Sequence, residues 1–230
     1  MSGVGASAVV ASLDGALADA LARLAAALRV PVLLIALAVL LAAALELGRF
    51  GAELWLRRVR RRHGSLRELA VAVVREPGRA GVLAGYAPTA FATQALRELA
   101  LAQLHESARP IAVEHALADY ELAAQRSLDR TRILVRVGPA IGLMGTLIPL
   151  APGLAALGRG DVPALASDLR TAFAATVIGL LVGTVAFALT LTRTRFYTED
   201  LTALERAVAF SARGREPSSP PSASGRGSVS

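Results

Sequence analysis

Thr146 and Thr176 carry hydroxyls inside two stretches without any ionisable side chain, Gly138–Leu157 and Thr171–Thr192. A hydroxyl in such surroundings has two uses. It can bond back to a carbonyl one turn earlier in its own helix, or it can hydrogen-bond water or a carboxylate brought in from elsewhere. Neither use makes the residue a proton carrier, so these positions suit the lining of a polar path and not a reaction centre. Small residues surround them at helical spacing. The first stretch has Gly138, Gly142, Thr146, Pro149 and Gly153; the second has Ala172, Thr176, Gly179, Gly183, Ala186 and Thr190. That pattern serves close helix packing or a narrow hydrogen-bonding path, and spacing alone leaves both open.

Other chemistry is scarce. The chain has no cysteine, which removes disulfides, thiolate catalysis and thiolate metal sites. The three histidines, His63, His105 and His115, all fall in the charged middle of the chain. His115 lies near Glu114 and Asp119, a grouping ordinary on a solvated helix face, so no metal site is expected. No glycine-rich phosphate loop follows a strand pattern. The expectation is therefore no catalytic residue, no cofactor and no enzyme.

The elements that must position the hydroxyls follow from length and polarity. Each stretch is about 20 residues, enough to cross a ~30 Å hydrocarbon layer as a helix. A third apolar run, Val30–Leu45, extends to Trp55 as an interfacial anchor. Hydrophobic residues make up 54% of the chain and aromatics only 4%, with alanine and leucine dominant, which favours helix. The net charge is +7; all of the positive charge is arginine, and it gathers at the ends of the apolar runs. Membrane orientation explains such clusters before nucleic acid does, and no nucleic-acid partner is expected. Arg57, Arg58, Arg60, Arg61 and Arg62 follow the first run, and Arg193 and Arg195 close the last. As topology anchors they place both of these helix ends in the cytoplasm.

The sequence thus predicts an all-α membrane protein with three transmembrane helices, an N-terminal amphipathic helix and cytoplasmic helical extensions. Residues 1–29 form an external amphipathic helix, from the spacing of Val10, Leu13, Leu17, Leu21, Leu24 and Leu28. It packs on its neighbours or lies in the outer interface. Transmembrane helices cover 30–55, 133–157 and 171–192. A cytoplasmic helical region covers 56–132, an external turn 158–170, a cytoplasmic helix 193–212 and a disordered tail 213–230. Ser65-Leu66-Arg67-Glu68 has the form of a capping box. Pro31 suits a first helical turn. Glu46, inside the cytoplasmic end of the first span, pairs with Arg49 or sits at headgroup level, simpler roles than proton relay.

Gly138-Pro139 through Gly145-Thr146-Leu147, followed by Ala175-Thr176-Val177-Ile178-Gly179-Leu180, resembles the two signature spans of the MotA/TolQ/ExbB proton-channel family. The resemblance covers Ile111 to about Glu205. It implies a homopentameric ring in the plasma (inner) membrane, N-terminus outside and C-terminus cytoplasmic. It also implies a single-span partner of the ExbD/TolR/MotB type whose intramembrane aspartate carries the proton. Thr146 and Thr176 match the threonines facing that aspartate. Pro139 matches a position near the pore's cytoplasmic end; with Gly142, Gly145, Thr171, Gly179 and Gly183 it is a helix-packing or pore-lining candidate, and membrane lipid is the remaining partner. Two departures stand out. Thr171 replaces a glutamate usual in ExbB and TolQ, and Gly145-Thr146-Leu147-Ile148-Pro149 differs from the usual Gly-Thr-Val-x-Gly. The implied function is a ring subunit of a proton-driven motor; the alternative is a non-conducting oligomeric scaffold recruiting partners through its cytoplasmic helices.

Overall fold

The computed structural model describes residues 3–60, 64–104 and 108–213. Arg61, Arg62, His63 and His105, and the tail expected beyond Arg213, lie outside them. Every regular element among the described residues is helical: α1 (Gly3–Arg60), α2 (Leu66–Arg75), α3 (Ala80–Leu83), α4 (Ala90–Leu104), α5 (Arg109–Gly158) and α6 (Val162–Arg213), with 3-10 turns at Pro77–Arg79 and Ala84–Tyr86. Among the described residues, three helices are long and apolar enough to cross a membrane: Ala27–Arg60 of α1, α5, and Val162–Ala212 of α6, with mean hydropathies of 2.6, 1.8 and 2.3 over an 18-residue stretch of each. The architecture is that of an all-α membrane protein.

Two boundaries differ from expectation. Pro31 lies inside α1, and no break separates residues 1–29 from 30–55. Proline deletes one backbone hydrogen bond, and the alanine- and leucine-rich runs on both sides carry the helix across the gap. The connection between α5 and α6 is only Arg159–Asp161, so 162–170 is helical and not part of the turn. Asp161 explains the early start. Its carboxylate accepts from the Ala164 N–H at 3.0 Å, satisfying a donor of the first turn where Pro163 has none to offer. Gly160, at φ 77°, makes the reversal, a conformation other residues rarely adopt.

The described residues form two compact units. The membrane unit takes the chain up to Ala52 together with Arg126–Thr194; the second takes Glu53–Gln125 together with the chain from Arg195. In the membrane unit, Ala43, Leu134, Val182 and Ala186 form a buried core flanked by Val39, Leu40, Val135 and Ile178. Large apolar side chains such as Leu143, Leu147, Phe173, Val177 and Leu180 point outward. This inverts the soluble pattern. Lipid is as apolar as leucine, so close backbone approach through small residues holds the helices together.

The second unit is built like a soluble domain. Ser65 and Glu68 form a complete capping box at the start of α2, which buries Leu66, Leu69, Ala70, Val73 and Val74. These side chains face the buried alanines and leucines of α4. Pro77 stops α2 after Arg75, and the short elements from Pro77 to Tyr86 bury Ala80 and Ala84.

Candidate functional site

Thr146 and Thr176 lie at one level of the α5–α6 hairpin. Each follows a residue that touches the other helix. A Cβ on Gly145 would fall 2.5 Å from the Ala175 Cβ, and one on Gly142 would fall 3.5 Å from the Thr176 Cα. Both threonines are half-buried. The Thr146 hydroxyl donates to the Leu143 carbonyl at 2.7 Å, and the Thr176 hydroxyl to the Ala172 carbonyl at 3.5 Å. These bonds differ in strength. The first is short and strong, while the second lies beyond the usual range for a hydroxyl and leaves its proton easily redirected. A hydroxyl owns one proton and two lone pairs. Thr146 is therefore set up to accept, and Thr176 to donate.

Glycines bring the helices to backbone contact around this pair. A Cβ on Gly179 would stand 2.6 Å from both the Gly138 carbonyl oxygen and the Gly142 Cα, so nothing larger than hydrogen fits. The Pro139 ring occupies the space beside Gly183, 2.8 Å from where a Cβ would be. Gly142, Gly145, Gly179 and Gly183 are all buried, whereas Pro139 exposes its outer edge. Thr171 is half-buried, donates to the Ser167 carbonyl at 3.1 Å, and lines a cavity of about 10 Å³ with Arg29, Val32, Leu33, Gly145, Ile148 and Pro149. That volume is about one water.

Ion pairs support the membrane unit from both sides of this level. Arg29 of α1 meets Asp168 of α6 at 2.7 Å. Glu46 accepts from Arg49 at 2.8 Å, as its spacing suggested, and from Arg193 of α6 also at 2.8 Å. Arg193 and Glu46 are only 3% and 5% exposed. The Arg193 guanidinium also lies 5.8 Å from the Phe50 ring centre. Arg193 thus contributes more than charge at a helix end: it neutralises the buried Glu46 of α1. Sequence reasoning missed this pair, although a carboxylate in one span and an arginine directly after another were its available signal.

The basic residues following the first span divide similarly. Arg57 bonds Asp200 at 2.7 Å and Glu53 at 3.1 Å and lies 4.7 Å from the Phe196 ring centre. Arg60 donates to the Ala87 carbonyl, while Arg58 and Arg195 are exposed. Beside the Arg57 cluster, the Tyr197 hydroxyl donates to Glu53 at 3.2 Å, and Phe91 packs edge-on against both Tyr120 and Tyr197. Tyr120 is buried and donates to the Tyr197 carbonyl. Burial, and then the Asp200 charge, push its phenol well above the ordinary tyrosine value.

Comparison with known proteins gives one match. The model of the MotA/TolQ/ExbB proton channel family fits residues 86–205, more than half the chain and both threonines with the glycines around them. No curated protein and no solved structure matches.

Proposed function

Because the chain belongs to the MotA/TolQ/ExbB proton channel family, and is with its three apolar helices a multi-pass membrane protein, we propose that it is the ring-forming subunit of a proton-driven motor. In this reading five copies sit in the inner membrane, N-terminus outside and C-terminus cytoplasmic. They surround a single-span partner of the ExbD/TolR/MotB type. The observation that carries it is the pairing of Thr146 and Thr176 at one level of two facing stretches, Gly138–Leu157 and Thr171–Thr192, that hold no titratable group.

A proton needs a titrating carrier to cross lipid, and the two apolar stretches around Thr146 and Thr176 offer none, so the carrier arrives on the partner as a carboxylate. Thr176 gives up its weak 3.5 Å bond and donates to the ionised form; Thr146, whose own proton stays on Leu143, accepts from the protonated form. Hydrogen bonds to the charged form lower its energy and let the proton leave. The neutral acid passes the apolar surface at little cost, whereas the charged form does not. Each proton supplies ~2.3 kcal/mol per 100 mV, enough to drive a step only if the surface it moves along is smooth to a few kcal/mol.

The test is proton flux in vesicles holding the chain with a partner that bears an intramembrane aspartate. Thr146→Val with Thr176→Val abolishes flux while the complex still purifies intact. Full flux in that double variant overturns the reading. Since both hydroxyls are occupied by their own helices in the isolated chain, a non-conducting scaffold is the second reading. It expects the hydroxyls to be dispensable and bulky residues at Gly142 or Gly183 to do all the damage.

A further inference from the structure

The second unit carries two exposed surfaces of opposite charge. One is a groove of about 420 Å³ lined by Arg67, Val71 and Arg75 of α2 and Arg206, Ala209 and Phe210 of α6. No carboxylate lines it. The three arginines are exposed, Arg75 lies 5.1 Å from the Phe210 ring centre, and Phe210 is 55% exposed. The other surface is a stripe on α5 made by Ile111, Glu114, Ala118, Glu121 and Leu122, residues that fall on one helix face. Ile111 and Leu122 are both exposed. Among the described residues, Arg67, Arg75, Arg206 and Glu114 enter no ion pair. The surfaces are complementary twice over, arginine to glutamate and apolar to apolar.

The Ile111–Glu114 end of the stripe also lies near the height of the groove. The bond from the Tyr120 hydroxyl to the Tyr197 carbonyl sets α5 beside the antiparallel α6. At ~1.5 Å per residue, Glu114 then stands level with about residue 203 of α6 and Ile111 with about residue 206. Arg67 shares a pocket wall with Ala203 and Arg206, so the groove occupies that level too. Rotation about an axis parallel to these helices carries a surface sideways without raising or lowering it. In the ring proposed above, with its axis along these helices, a neighbouring copy presents its Ile111–Glu114 end near the height of the groove, and a contact between unlike surfaces is the kind that builds a ring when its rotation closes.

We propose that the α2–α6 groove of one copy receives the α5 stripe of the next, with Arg67 and Arg206 facing Glu114 and with Ile111 against Phe210. This names the contact within the ring proposed above and rests on that reading.

The chain has no cysteine, so introduced thiols report alone. Two differently tagged full-length chains, one with Ile111→Cys and one with Ala209→Cys, are expressed together and oxidised in membranes. Only a disulfide between copies can join the two tags. The expected result is a two-tag dimer on a denaturing gel. Its yield falls about tenfold or more with Arg67→Glu and Arg206→Glu, because like charges then face across the contact, and recovers when Glu114→Arg is added. The mass of the purified complex reads the ring separately. A ring without the two-tag dimer overturns this contact and leaves the ring standing; a monomer overturns both. The contact is also overturned if the thiol of the Ala209→Cys chain is captured by a different protein. It is overturned as well if the dimer forms only after residues 214–230 are deleted, which would assign the groove to that segment of the chain itself.

Discussion

Arg193 and Glu46 make the pair whose separation disturbs the molecule most. An ion pair withdrawn from water is a weak source of stability, yet removing one partner strands the other at a cost of about 3–5 kcal/mol. Arg193→Leu and Glu46→Leu each break this pair, Arg193→Leu still leaving Glu46 with the more exposed Arg49 at 2.8 Å. Each single variant is expected to lose more stability than the double variant, which removes both charges of the pair. Denaturation in detergent followed through Trp55, the only tryptophan, measures all three. A double variant less stable than either single one would contradict this pairing. Only half of the cluster was legible in advance. Glu46 and Arg49 are three apart and must meet on any helix, but Arg193 arrives from 147 residues away, and no local rule brings it there.

At the scale of elements, the α5–α6 contact depends on hydrogen-sized side chains. Gly179→Ala would force a methyl against the Gly138 carbonyl and the Gly142 Cα, backbone that cannot rotate aside. A loss of about 1–3 kcal/mol is expected. Gly51→Ala in α1 meets nothing within 4 Å and is expected to be neutral or to gain up to about 1 kcal/mol from better helix propensity. Thermal melts of the two variants in the same detergent check the contrast. The spans themselves were readable because apolar length is a property of a segment alone. The capping box at Ser65 was readable for the same reason. The helical 162–170 stretch and the unbroken passage through Pro31 were harder: each depends on whether one local penalty outweighs the residues around it.

The whole molecule divides into a unit held by small residues in lipid and a unit held by a soluble-type core, and alkali should tell them apart. Tyr120 must stay neutral in the folded second unit, where burial and then the Asp200 charge hold its phenol well above the ordinary value. A raised folded-state value means that its contribution is complete below the unfolded tyrosine value of ~10 and is lost as pH rises through and beyond it. Stability of the second unit is therefore expected to decline above about pH 10. The decline should be shallower in Tyr120→Phe, which has no proton to lose. Circular-dichroism melts across that range compare the two proteins, and identical slopes would remove Tyr120 as the cause. Nothing in the sequence marked Tyr120 among the three tyrosines; only its packing between Phe91 and α6 distinguishes it.

The missing side chains at Gly138, Gly142 and Gly179 bear on how such a protein moves. Two rods touching along their main chains have no soft layer between them to absorb a push. A force applied to one is felt at once by the other, and the hairpin behaves as a single stave. Compliance has to come from its leucine- and phenylalanine-covered outside, where long side chains can exchange rotamers. In the proposed motor, stiffening that outer coat with branched residues is expected to slow turnover without touching a single hydroxyl.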